Sequence, residues 1–138
     1  MSPLLRKGVH MSYKFIPTKV HGVLDYVVGI ALIAAPWLFQ FSEVGGAAVA
    51  IPVVLGIGLI VYSIFTKYEL GIVKVLSMPY HLIIDLLAAA LLALSPFIFG
   101  FYDANNVNQW LPHVVVGIAV ILVVIFSQTQ PADDDVRV

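Results

Sequence analysis

Hydrophobic residues run along this chain in four long blocks, and polar residues are largely confined to the gaps between them. The blocks cover roughly 20–41, 45–66, 78–101 and 109–127. Each comes close to the ~20 apolar residues a helix needs to cross the hydrocarbon core of a bilayer. The connections read SEVGG, TKYELGIVKVLS and YDANNVNQ, too short to hold a soluble domain. A helix that is apolar all round needs lipid or protein, not water, as its surroundings. The pattern therefore predicts an all-α polytopic membrane protein, with four transmembrane helices in a small bundle.

The first and third blocks say nearly the same thing. HGVLDYVVGIALIAAPWLFQF (21–41) aligns with HLIIDLLAAALLALSPFIFGF (81–101) at a constant offset of 60. His21 matches His81, Asp25 matches Asp85, and Pro36 matches Pro96, while Phe39 and Phe41 match Phe99 and Phe101. Pro52 matches Pro112, and after a one-residue insertion LGIGLIVYSIF (55–65) runs beside VGIAVILVVIF (116–126). Leucines and valines coincide by composition alone in membrane helices. A histidine, an aspartate and a proline held in one register do not, so the chain is a tandem duplication of a two-helix unit. Each unit runs across the membrane and back, which makes the copies parallel repeats about an axis along the membrane normal. The organisation expected is a tail over 1–17, a first repeat over 18–68, a connection over 69–77, a second repeat over 78–128 and an acidic tail over 129–138.

With these residues in place, the chain resembles the SPW-repeat integral membrane proteins, small bacterial and archaeal proteins built from this two-helix unit. The namesake Ser-Pro-Trp reads Ala35-Pro36-Trp37 in the first copy and Ser95-Pro96-Phe97 in the second, so each departs at one position. The resemblance covers residues 18–127 and implies the fold and the membrane location. It implies no biochemical activity.

Pro36 and Pro96 follow the matched histidines by fifteen residues, about 22 Å along an ideal helix. Each removes a backbone donor and frees a carbonyl that something nearby must satisfy. Ser95 is placed to do so in the second repeat, and Ala35 has no group for it in the first. Trp37, Phe39, Phe41, Phe97, Phe99, Phe101, Tyr102 and Trp110 are expected to form an aromatic belt at the outer interface. Gly29 and Ala89 occupy matched mid-helix positions where close backbone approach is expected. His113 follows Pro112 and is expected to sit at the outer interface.

The candidate functional residues are His21, Asp25, His81 and Asp85. Residues at i and i+4 share a helix face, so each histidine and aspartate form a pair. If the repeats meet about their axis, the two pairs face one another. Ionisable residues in membrane helices almost always face protein or water, not lipid. The leading reading is a structural polar lock that sets helix rotation. The rivals are a protonatable relay in a channel or transporter, a metal or haem site with His21 and His81 as ligands and the aspartates as ligands or as supports behind them, and a docking site for another subunit, small ligand or lipid. Only the first and third helices are expected to contribute polar groups within the membrane.

Composition narrows the field. With 61% hydrophobic and 11% charged residues, the chain is far more apolar than a soluble domain. It has no cysteine, hence no disulfide or thiolate chemistry, and its net charge of −1 lacks the basic cluster that nucleic acid binding requires. No GxSxG, HExxH, CxxC or phosphate-binding loop occurs, so no enzyme and no bound cofactor is expected. The expected partners are the lipid bilayer and another membrane subunit or a second copy of the chain. The first apolar block exceeds a signal-peptide core in length and has a twin in mid-chain, which marks it as a retained span. Met11 is an alternative start.

Arg6, Lys7, Lys14 and Lys19 precede the first block, Lys67 and Lys74 lie between the second and third, and Arg137 follows the fourth. All the basic residues thus fall on one side, which the positive-inside rule makes cytoplasmic, with both termini there. A cysteine introduced at Asn105 should therefore label from outside, and one at Gly71 only after the inner face is opened. The reverse pattern would overturn the orientation, and labelling of both from one side would overturn the four-span topology.

Overall fold

The computed structural model describes residues 13–131. Arg6, Lys7, Met11, Arg137 and the acidic run Asp133–Asp135 lie outside the described residues. Four helices follow in order: α1 (Thr18–Leu38), α2 (Gly46–Ile64), α3 (Met78–Ile98) and α4 (Leu111–Phe126), with no strand among the described residues. The protein is all-α. Three of the helices are long and apolar enough to span a membrane, and α4 is a shorter apolar helix of 16 residues. At ~1.5 Å per residue, α4 is about 24 Å long. Its block loses length at the start, where Val107–Gln109 form a 3-10 turn and Pro112 occupies the first turn of the helix. There a missing N–H costs no helical bond.

The duplication is visible in the backbone. α1 and α3 are both 21 residues long and begin at positions 60 apart. α1 packs along α2, α3 packs along α4, and α2 packs on α3 to join the repeats. At the end that carries Lys14, Lys19, Lys67 and Lys74, two short backbone bridges tie the repeats reciprocally. Ile16 pairs with Ser127, and Leu76 pairs with Thr66. The bonds correspond one to one: Ile16 N to Phe126 O (3.0 Å) mirrors Leu76 N to Phe65 O (2.8 Å), and Gln128 N to Ile16 O (2.9 Å) mirrors Lys67 N to Leu76 O (2.7 Å).

Proline placement explains several polar contacts. Pro96 frees the carbonyl of Leu92, and the Ser95 hydroxyl donates to that oxygen at 2.7 Å. Pro52, seven residues into α2, frees the carbonyl of Ala48, and His113 Nε2 donates to it at 2.8 Å. His113 is 2% exposed, so it is a buried partner of the Pro52 break, not an interfacial residue. Its role requires the first repeat alone, because the matching Pro112 starts a helix and breaks nothing. The aromatic belt is likewise smaller than expected. Phe41 and Phe101 are buried against the His113 ring, at centroid distances of 5.0 and 4.9 Å. Trp37, Phe39, Phe97, Phe99 and Tyr102 remain exposed.

Small residues set the helix crossings within each repeat. A Cβ added at Gly56 would meet Gly29 O at 2.6 Å, and one at Gly117 would meet Ala89 O at 2.7 Å. Gly29 and Ala89 are repeat mates, as are Gly56 and Gly117, so the same close approach is built twice. At Gly71, in the connection, a Cβ would overlap the Thr66 carbonyl, so an inner-face cysteine belongs at exposed Lys74 instead.

Gly56→Ala and Gly117→Ala should each destabilise the protein by about 1–3 kcal/mol, the usual cost of overfilling a packed site. Gly58, on the same helix as Gly56, has nothing within 4 Å of an added Cβ. Gly58→Ala should be neutral or stabilise by up to ~1 kcal/mol through helix propensity. Thermal melting in detergent checks the set, and equal losses at Gly56 and Gly58 would contradict the crossing.

Candidate functional site

His21 lies in the first turn of α1 and Asp25 one turn later; His81 and Asp85 hold the same places in α3. The helical repeat puts each pair on one face, and the backbone bridges at that end bring the faces together. All four side chains are buried, with exposures of 1%, 5%, 0% and 2%. The imidazole rings meet edge to face at a centroid distance of 5.4 Å.

Each histidine stands between both carboxylates. His21 Nε2 is 2.9 Å from Asp85 Oδ2 and 3.2 Å from its own helix partner Asp25. His81 Nε2 is 3.1 Å from Asp25 Oδ2 and 3.1 Å from Asp85 Oδ2. The shortest of these contacts runs between repeats. It is also the one that meets hydrogen-bond geometry among the four.

The other ring nitrogens fix the tautomers. His21 Nδ1 is 2.7 Å from Ser127 Oγ, and His81 Nδ1 is 2.7 Å from Thr66 Oγ1. Both hydroxyls give their own protons to helix carbonyls, Ser127 to Val123 O at 2.6 Å and Thr66 to Tyr62 O at 2.7 Å. Each hydroxyl oxygen is thereby left to accept, so both Nδ1 atoms carry hydrogen and both Nε2 atoms face the carboxylates. Thr66 belongs to the first repeat and holds the histidine of the second; Ser127 belongs to the second and holds the histidine of the first.

Two tyrosines complete the carboxylate shells. The Tyr62 hydroxyl donates to Asp85 Oδ1, and the Tyr68 hydroxyl donates to Asp25 Oδ2 at 2.7 Å. Burial, reinforced by the neighbouring Asp25 charge, pushes the Tyr68 phenol well above its ordinary range, so it stays a neutral donor. Thr18, one turn before His21, donates to the Glu69 carboxylate at 2.8–3.0 Å over the lysine-bearing end of the cluster.

The four residues singled out in the sequence thus come together, while Thr66, Ser127, Tyr62 and Tyr68 were not among them. α2 and the segments just beyond α2 and α4 contribute polar groups too, contrary to the expectation that only α1 and α3 do. Thr66 and Ser127 did carry a signal. The repeat alignment, continued past Phe126 at its offset of 61, superposes them. Tyr62 and Tyr68 carried none, because their repeat mates are Val123 and Thr129.

A duplicated pair of apolar helices with a buried His/Asp core defines a class, a helical membrane protein built from a repeated two-helix unit. The family model for the SPW repeat domain matches residues 19–129, and the chain belongs to that family. No curated protein and no solved structure matches the chain. In this structure the motif divides its labour: Ser95 satisfies the carbonyl that Pro96 frees, both prolines are buried, and Trp37 and Phe97 face outward.

Tyr68→Phe should destabilise the protein by about 1–3 kcal/mol, since it removes a hydrogen bond to a buried carboxylate. Tyr80 is 65% exposed on α3, and Tyr80→Phe should leave melting unchanged. A Tyr68→Phe protein that melts with the wild type would show that Asp25 does not depend on this donor.

Proposed function

We propose that this protein is a non-enzymatic, structural integral membrane protein of the cytoplasmic membrane, a four-helix bundle with both termini inside. In it the His21/Asp25/His81/Asp85 cluster locks one repeat to the other. The observation that carries this reading is reciprocity. Each histidine contacts the aspartate of the other repeat, and each is held by a hydroxyl of the other repeat. Neither repeat alone could satisfy its own pair, so α1 and α3 must keep one rotation and one depth.

The surroundings support a lock over a transport path. Towards the outer end the cluster is followed by buried Leu32, Leu59, Ala89 and Leu92, and towards the inner end by buried Thr18, Tyr68 and Met78. A cleft of about 150 Å³ near the outer end is lined by apolar side chains together with His113. A proton or cation path would need polar groups along that stretch. Exposed apolar faces on all four helices supply the surface for lipid, another membrane subunit or a second copy.

In chelator-treated detergent samples, Asp25→Asn should be mild, because the amide still fits and still accepts a hydrogen bond. Interhelical hydrogen bonds in membranes average about 0.6 kcal/mol. Asp25→Leu should cost about 1–3 kcal/mol, because the Tyr68 hydroxyl loses its acceptor and the histidines lose a neighbouring carboxylate. Matched changes at Asp85 should follow the same order. Asn as damaging as Leu at both positions would mean that charge itself is required, and would overturn the lock.

A further inference from the structure

We propose that the same cluster is a binding site for one divalent first-row transition-metal ion. His21 Nε2, His81 Nε2 and one carboxylate oxygen each from Asp25 and Asp85 would be its ligands. The proposal rests on the lock reading, in that the ion would join the same two repeats through the same four side chains.

Convergence is the first support. One ligand atom from each of the four residues lies within 4.8 Å of the others, and all four residues are buried. A tetrahedral ion with ligands about 2.0–2.2 Å away sets its donors about 3.3–3.6 Å apart. Loading then asks for side-chain movements on the order of 1 Å.

An orphaned atom is the second. His81 Nε2 is fully buried and makes no hydrogen bond, although two carboxylates stand 3.1 Å away. A buried polar atom left without a bond costs free energy, and this one is directed into the centre of the cluster. A lone pair there would have a partner in a metal ion.

The third support is the outer shell. Metal-binding histidines usually donate their second ring N–H to a fixed acceptor, which sets the tautomer and the ring orientation. Thr66 and Ser127 do this for both rings, and each is itself anchored on a helix carbonyl.

The donor set selects the ion. Two imidazole nitrogens with two carboxylates suit zinc, iron, cobalt or manganese, whereas magnesium and calcium prefer oxygen alone. A divalent ion with two carboxylates and two neutral imidazoles sums to zero charge, which a low-dielectric site favours. Glu69, half-buried over the inner end on Thr18, gives an approaching cation its first carboxylate.

The test uses the full chain in detergent, stripped with chelator and titrated with Zn²⁺ by calorimetry and with Co²⁺ by visible spectroscopy. One Zn²⁺ should bind per chain more tightly than about 1 µM. Co²⁺ should give the intense visible bands of four-coordinate geometry. A hundredfold excess of Mg²⁺ or Ca²⁺ should not displace either. His81→Gln should weaken binding at least 100-fold. Thr66→Val keeps all four ligands and should weaken it about 10- to 100-fold, which covers the case in which His81→Gln fails to fold. Absence of stoichiometric binding by the wild type, or Zn²⁺ binding unchanged in either variant, would overturn the site. The order of the aspartate variants in chelator tests the lock separately, so either reading can fail alone.

Discussion

Ionisable groups cannot be carried into an apolar interior alone. Stripped of water, a charge or a strong dipole must find partners close by or it destabilises the fold. Here the constraint falls on two histidines and two aspartates placed one turn into two otherwise apolar helices. Across the repeats, α1 and α3 are tied by the His21–Asp85 and His81–Asp25 contacts. From that requirement follow the facing of α1 towards α3, the shared depth of the pairs, and the presence of Thr66 and Ser127 at the ends of α2 and α4. The lipid-facing sides of the same helices carry Val23, Val27, Ile30, Ile83 and Leu87, where nothing restricts rotation.

A related demand governs the opposite half of the bundle, where the polar group is the backbone. Every proline inside a helix frees a carbonyl, and no water is at hand in an apolar environment to accept the loss. Pro96 is answered from its own helix by Ser95. Pro52 is answered from the other repeat by His113, which Phe41 and Phe101 enclose. Both ends thus use one device: the carbonyls freed by Pro52 and Pro96 and the Nδ1 atoms of both cluster histidines have named partners, and several of these come from the opposite repeat.

Periodicity in sequence carried the helix count, the duplication and the four residues of the cluster, because each leaves a signature on a single strand of text. Hydrophobic blocks report length, and a register of His, Asp and Pro at one offset reports the repeat. What the text does not carry is which residues beyond a helix end fold back on it. Thr66 and Ser127 sit past the last apolar turn and look like ordinary loop hydroxyls until the backbone bridges to Leu76 and Ile16 are seen. The aromatic belt was overestimated for a similar reason. Phe41 and Phe101 have the composition of interfacial residues, and only the position of His113 shows that they turn inward. The short α4 was masked by hydropathy, which does not distinguish a 3-10 turn from a helix.

Duplication makes two units, but one chain can have only one connection between them, and here that connection is where the symmetry ends. TKYELGIVKVLS leaves α2 and lies over the N-terminal end of α1. Gly22 makes room for it, since a Cβ there would meet Leu70 at 2.6 Å and Tyr68 at 3.1 Å. The repeat mate of Gly22 is Leu82, which packs with Tyr68 and Met78 instead of yielding to a crossing chain. Tyr26 anchors the connection by donating to Leu70 O at 2.9 Å, and Tyr68 and Glu69 reach Asp25 and Thr18 from it. The segment after α4, its counterpart, pairs with Ile16 through Phe126 O and Gln128 N. The two aspartates each face both histidines, but their tyrosines come from different elements. Asp85 receives its phenol from within α2, a helix packed on α3, whereas Asp25 receives its phenol from the connection, where Tyr68 is buried against Met78 and Leu82.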